Sequence, residues 1–211
     1  MTIVQQITHQ IRTYWPTLLA VTLVTGALLG LVEYLHQRYD LWIGNLMRDP
    51  NAVGHQPYYA GFFSQCGGLF WAAGATVCFG TRALLRRGGG GGRAAAFFLA
   101  AGLLTLLLGV DDVFMIHEEA APGWGLPERV VYLAYGLLTL AFLVGFSRYI
   151  LTRTPYLLLL IALGCFATSV GLDSMHLTRI DPFFLEDGAK LAGILSWLGY
   201  FVGAAGVSLR S

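Results

Sequence analysis

"AAAFFLAAGLLTLLLGVDDVFMIHEE", residues 94–119, runs from hydrocarbon into charge. Residues 94–110 hold nothing more polar than Thr105. At about 1.5 Å per residue, a helix over this stretch covers most of a roughly 30 Å bilayer core. Asp111 and Asp112 close the run, and His117, Glu118 and Glu119 follow. The apolar part reads as a membrane span. Ionisable groups at such a depth are costly and need partners.

The same composition holds along the whole chain. Of 211 residues, 56% are hydrophobic and 12% charged. Soluble domains carry about 25% charged residues. An integral membrane protein follows, and its length suits one helical bundle. The net charge of +1 gives nucleic acid nothing to bind. Cys66, Cys78 and Cys165 lie inside apolar segments without zinc-ribbon spacing and read as small buried hydrophobes.

Six transmembrane helices are expected, at about 16–36, 61–84, 94–117, 129–150, 155–176 and 188–209. Pro16 and Pro155 stand where helices start, a position that tolerates a missing N–H. "RRGGGGGR" at 86–93 reads as a flexible linker. The fold class is therefore all-α, a polytopic bundle over residues 16–211. Residues 1–15 carry Ile3, Ile7, Ile11 and Trp15 at intervals of four. This stripe suits an interfacial amphipathic helix or a plain extension of the first span. One basic residue, Arg12, before a long apolar stretch does not suit a cleavable signal.

Basic residues orient the bundle. With both termini cytoplasmic, Arg12, Arg82, Arg86, Arg87, Arg93, Arg148, Arg153 and Arg210 fall on the inner side. All twelve Asp and Glu fall on the outer side, which in a bacterial inner membrane is periplasmic. Acids contribute little to topology, so this asymmetry needs another cause.

Counting along each helix from its inner arginine puts Glu33, Asp111, Asp112, Asp173 and Lys190 roughly 27–32 Å from the inner charges. His36, His117 and His176 lie about one turn further out. Glu33/His36 and Asp173/His176 are each three apart and share a helix face. Asp111 and Glu118 are seven apart and share one too. Asp187, before Gly188, fits the N-cap of the sixth span. The matched depth predicts one outward-facing pocket.

Three chemistries fit this set. In the first, His36, His117 and His176 hold a divalent metal, most simply zinc, with Asp112 and Asp173 as further ligands. Glu33, Asp111 and Glu118 are then bases or orienting groups, and Lys190 an electrophilic helper. The expected activity is metal-dependent hydrolysis of a lipid or amphiphile. Iron or copper fits a variant, because paired acid-x-x-His motifs recur in di-iron bundles. In the second, the belt is structural, in a non-catalytic subunit that docks a membrane or periplasmic protein partner. In the third, it carries protons or cations; an apolar inner half argues against a full transmembrane path. Trp42, Tyr58, Tyr59 and Trp124 suit an interfacial aromatic belt, and residues 37–60 are long enough to form a lid.

"DDVFMIHEE", "PERVVY" (127–132) and "FLEDGAKLAGILSWLGYF" (184–201) resemble a set of uncharacterised bacterial six-helix membrane proteins. That resemblance implies a fold and no assigned activity. The layout is also faintly similar to the alkaline ceramidase and adiponectin-receptor superfamily of zinc hydrolases. Those have seven helices and an H-x-x-x-H motif in the last one. Here six are expected and the last has no histidine, so no residue carries over.

Overall fold

A computed structural model describes residues 3–57, 59–89, 92–173 and 182–210. Among them every regular element is helical. They form two compact units, Met1–Ala60 and Gly61–Ser211.

The first unit is one long helix, α1 (Ile3–Tyr39), followed by two short ones, α2 (Ile43–Met47) and α3 (Pro50–Val53). Pro16 was expected at a helix start and lies instead inside α1. Residues 3–15 thus extend the helix that contains the first expected span. A proline removes only one backbone hydrogen bond, and the apolar sequence on its C-terminal side continues to favour helix. Asp49 caps α3, accepting from the N–H groups of Asn51 (2.8 Å) and Ala52 (3.3 Å). The segment read as a lid therefore carries helical structure of its own.

The second unit holds α4 (Phe62–Arg87), α5 (Gly92–Phe114), a π-helical turn (Ile116–Ala120), α6 (Ala121–Gly123), α7 (Glu128–Arg153), α8 (Leu157–Asp173) and α9 (Pro182–Ser208). Among the described residues, four helices are long and apolar enough to cross a membrane: α4, α5, α7 and most of α9. The fifth expected span appears as the shorter α8, and its outer end at 174–176 lies outside the described residues. α9 begins six residues before the expected sixth span, so Asp187 is inside the helix and is not its N-cap. Pro182 at the first helical position, where its missing N–H costs nothing, suits the earlier start.

α4 packs on α5 and α9, α8 on α9, and α7 on α5. The core between them is aromatic: Phe97, Phe98, Trp197, Tyr200 and Phe201 are almost completely buried. Of the three cysteines expected to be buried, Cys78 is fully buried among them, whereas Cys66 and Cys165 are only partly buried. Polar atoms inside are paired among the described residues, the Trp71 indole N–H excepted. Trp197 Nε1 donates to Thr105 Oγ1 at 2.9 Å, and the Tyr149 and Ser208 hydroxyls bond at 2.8 Å. The outside is apolar: on α7, Leu133, Leu137 and Val144 are each more than half exposed. Such a contiguous apolar surface suits lipid and not water.

Two glycines let the bundle close. A Cβ on Gly109 of α5 would stand 2.7 Å from Trp71 Cβ, and one on Gly193 of α9 would stand 2.7 Å from the Phe166 ring. With both seats open, Trp71 and Phe166 stack at 5.8 Å and 13°. Gly109→Ala must push Trp71 away, and we expect a loss of about 1–3 kcal/mol. Gly80→Ala on α4, where nothing lies within 4 Å, should instead gain about 0.5–1 kcal/mol. Thermal unfolding of the two variants in one detergent checks the opposite signs.

Candidate functional site

The site starts from a break. α5 stops at Phe114, and Met115 adopts a left-handed conformation with φ 48° before the π-helical turn. In an unbroken helix, residues six apart are about 9 Å apart along the axis and on different faces. The break folds His117 back onto Asp111. His117 Nδ1 meets Asp111 Oδ2 at 2.5 Å, and the His117 backbone N–H donates to Oδ1 at 3.0 Å. Tyr135 of α7 donates its hydroxyl to the same Oδ1 at 2.8 Å. Both members of the pair are buried, Asp111 at 5% exposure and His117 at 6%. This corrects the expectation of one continuous helix through His117. Helical register did not bring the pair together; the loss of it did.

Because the carboxylate accepts, Nδ1 carries a proton, and Nε2 is the nitrogen at which the ring gains or loses its second. Nε2 lies 3.6 Å from Glu118 Oε1. The Asp111 hydrogen bond raises the His117 pKa above the ordinary imidazole value, outweighing burial, and Glu118 adds to it. Tyr132 packs its ring against the imidazole at 4.9 Å.

Asp112 points elsewhere. It forms an ion pair with Lys190 of α9. The Asp112 side chain is 7% exposed and that of Lys190 33%. The α9 helix also carries Glu186, one turn from Lys190.

These groups separate two cavities. The larger, about 450 Å³, has apolar walls that include Trp71, Leu108, Leu140, Leu143, Leu163 and Phe166. Along α7 its lining passes from Tyr132 and Tyr135 to Leu140 and Leu143. The smaller, about 260 Å³, is lined on its far side by Phe63, Ser64 and Asp187. Asp112, His117, Glu118, Glu186 and Lys190 line both. The polar cluster thus stands between a greasy chamber and a smaller one of mixed lining, where Met115, Leu191 and Ile194 join the charged groups.

Of the residues singled out in the sequence, the second unit brings together Asp111, Asp112, His117, Glu118 and Lys190. Glu33 and His36 belong to the first unit. There Gln37 donates to Glu33 at 2.5 Å, and His36 Nδ1 donates to the Leu41 carbonyl at 2.7 Å. Asp173 ends α8, and its side chain and His176 lie outside the described residues. Among the described residues no three His, Cys, Asp or Glu side chains are grouped to hold a metal ion. Tyr132, Tyr135 and Trp71 escaped the sequence reading. The two tyrosines are three apart on α7, a spacing that puts them on one face and was there to be seen. Trp71 has no such signal. It is 95% buried by its 5% exposure, and its indole N–H has no acceptor among the described residues.

A family model described as a domain of unknown function (DUF8692) matches residues 17–204. The chain belongs to that family. The match runs from the first unit through α9 and takes in every residue of the cluster. Neither the curated proteins nor the solved structures include a match.

Two measurements test the cluster. Lys190→Met leaves Asp112 without its cation, and we expect a loss of about 1–3 kcal/mol, moderated by the partial exposure of Lys190. Lys190→Met combined with Asp112→Asn should lose less than the sum of the single changes, which a double-mutant cycle of thermal melts reads directly. The raised His117 pKa also sets a pH dependence. Its stabilising pairing with Asp111 is complete below the unfolded value of about 6.5 and is lost as pH rises through the higher folded value. The melting temperature of the wild type should therefore fall more steeply as pH rises above about 6.5 than that of His117→Gln.

Proposed function

We propose that this chain is a multi-pass membrane protein that takes the apolar part of an amphiphile into the 450 Å³ cavity and transfers a proton at its polar end through His117. The observation that carries this reading is the buried Asp111–His117 pair in the wall of the large apolar cavity. A carboxylate on Nδ1 holds the ring in one tautomer and stabilises the imidazolium that forms when Nε2 takes a proton. Lys190 supplies positive charge beside it, and the Tyr135 hydroxyl, donating to Asp111, holds the carboxylate in place.

The orientation with both termini cytoplasmic, and the cluster facing the periplasm of a bacterial inner membrane, follows from the arginine distribution. Six spans require α1 and α8 to cross in addition to the four long apolar helices.

A metal-dependent hydrolase is the second reading. One observation favours it: His36 and His117 are both bonded through Nδ1, which leaves Nε2 available, as in metal-bound imidazoles. Zinc, iron or copper on His36, His117 and His176, with Asp112 and Asp173, would then polarise the amphiphile's ester or amide. Elemental analysis of the purified protein separates the two readings. Proton transfer by His117 alone requires no stoichiometric metal. Metal retained by the wild type and lost from His117→Ala would replace the first reading with the second.

Cavity occupancy is tested independently. Gly136 lines the cavity and has nothing within 4 Å of its Cβ position, so Gly136→Leu should fold and fill the space. Mass spectrometry of amphiphiles co-purified with the wild type should show a species that Gly136→Leu loses and His117→Gln retains in unreacted form. Identical amphiphile profiles in all three proteins would exclude the cavity as a binding site.

A further inference from the structure

The far end of the second unit holds a different cavity, of about 860 Å³, between the ends of α5, α7 and α9. Arg93 opens α5, and Asp111 lies 18 residues along the same helix, so the two sites are roughly 27 Å apart. The lining includes three guanidinium groups, from Arg93, Arg148 and Arg153, and no acidic residue. It also includes the hydroxyl-bearing Tyr149, Thr152 and Ser208.

Two of the arginines stand apart from the third. Arg93 is anchored: it donates to the Gly145 carbonyl and lies over the Phe146 ring at 4.9 Å. That contact pins the start of α5 against α7 and gives the cavity a fixed wall. Arg148 and Arg153 form no ion pair with any carboxylate among the described residues. Three like charges around one space repel one another, and an anion between them offsets that cost. Guanidinium matches the paired oxygens of phosphate. The hydroxyls are already engaged: Thr152 donates to the Arg148 carbonyl, and Tyr149 and Ser208 bond to each other, so the arginines supply the cradle's donors. Val207, which lines it, is 48% exposed, and Leu151 and Leu209, next in sequence to lining residues, are 62% and 47% exposed.

We propose that this cavity binds the phosphate of an anionic phospholipid, with Arg148 and Arg153 as the phosphate ligands and Arg93 as a positioning residue. Phosphate is the chemistry recognised. The lipid is its source, because the cradle opens onto helix faces that are themselves apolar and exposed. Basic pockets between membrane helices take acidic headgroups in this way. The site is separate from the His117 cluster and stands whether or not the amphiphile reading holds.

The test uses the full chain in nanodiscs of phosphatidylcholine, with or without phosphatidylglycerol, followed by native mass spectrometry. The wild type should retain phosphatidylglycerol in preference to phosphatidylcholine. Arg148→Gln/Arg153→Gln should lose that preference by about tenfold, and Arg148→Lys/Arg153→Lys should keep part of it. Equal retention of both lipids by the wild type overturns the proposal without reliance on any variant. So does undiminished preference in the Gln pair. A third arm adds millimolar inorganic phosphate to delipidated protein. If phosphate alone raises the melting temperature as much as phosphatidylglycerol does, the occupant is the free ion and the lipid assignment falls.

Discussion

Lys190 cannot carry its charge into an apolar bundle alone, and neither can Asp112. An isolated ion there loses hydration worth several kcal/mol, which only a close counter-charge and hydrogen bonds return. Their pairing joins α5 to α9 and restricts how far the two helices can slide past each other. It also divides the labour of two adjacent aspartates. Consecutive residues on a helix point about 100° apart. With Asp112 committed to α9, Asp111 faces α7 and the turn after α5. There it receives three donors, from Tyr135, the His117 backbone and the His117 ring.

The break at Met115 is the cost of that arrangement. A non-glycine residue in the left-handed region is strained by about 1–2 kcal/mol. The strain persists because the surroundings over-determine it. Below it, Gly109 seats Trp71, which stacks on Phe166, which in turn rests on Gly193. Above it, the π-helical turn returns His117 to Asp111. Dense packing on one side and charge-assisted hydrogen bonds on the other leave the chain little freedom to straighten. Backbone strain held in this way is common where a side chain must be aimed at a ligand.

Charge in the second unit collects at the two ends. Carboxylates, His117 and Lys190 occupy one, and Arg93, Arg148 and Arg153 the other. Between them the core is almost wholly aromatic and aliphatic, and the Trp197–Thr105 bond links two of its few polar atoms. A large cavity at each end and a dry middle suit two one-sided binding sites. This separation is also why substitutions at one end are useful controls for the other.

The sequence by itself determined that the chain is helical and apolar enough for a membrane. It also determined that Asp111, Asp112 and Lys190 share a level. Those conclusions rest on composition and on a fixed rise per residue, which are local properties. Four of the six expected spans were legible for the same reason, as the long apolar helices α4, α5, α7 and most of α9. The partnerships were not. Whether Lys190 would choose Asp111, Asp112 or Asp187 depends on the rotation of α9 against α5, which packing at Gly109 and Gly193 decides. That His117 would reach Asp111 depends on a helix ending at Phe114, and no proline or glycine marks that ending. Trp71 looked like any core aromatic until α8 and α9 closed around it. Tertiary structure alone turned a level of charged residues into a proton-bearing pair, an ion pair and a cavity, because each needs contacts between helices that local sequence does not encode.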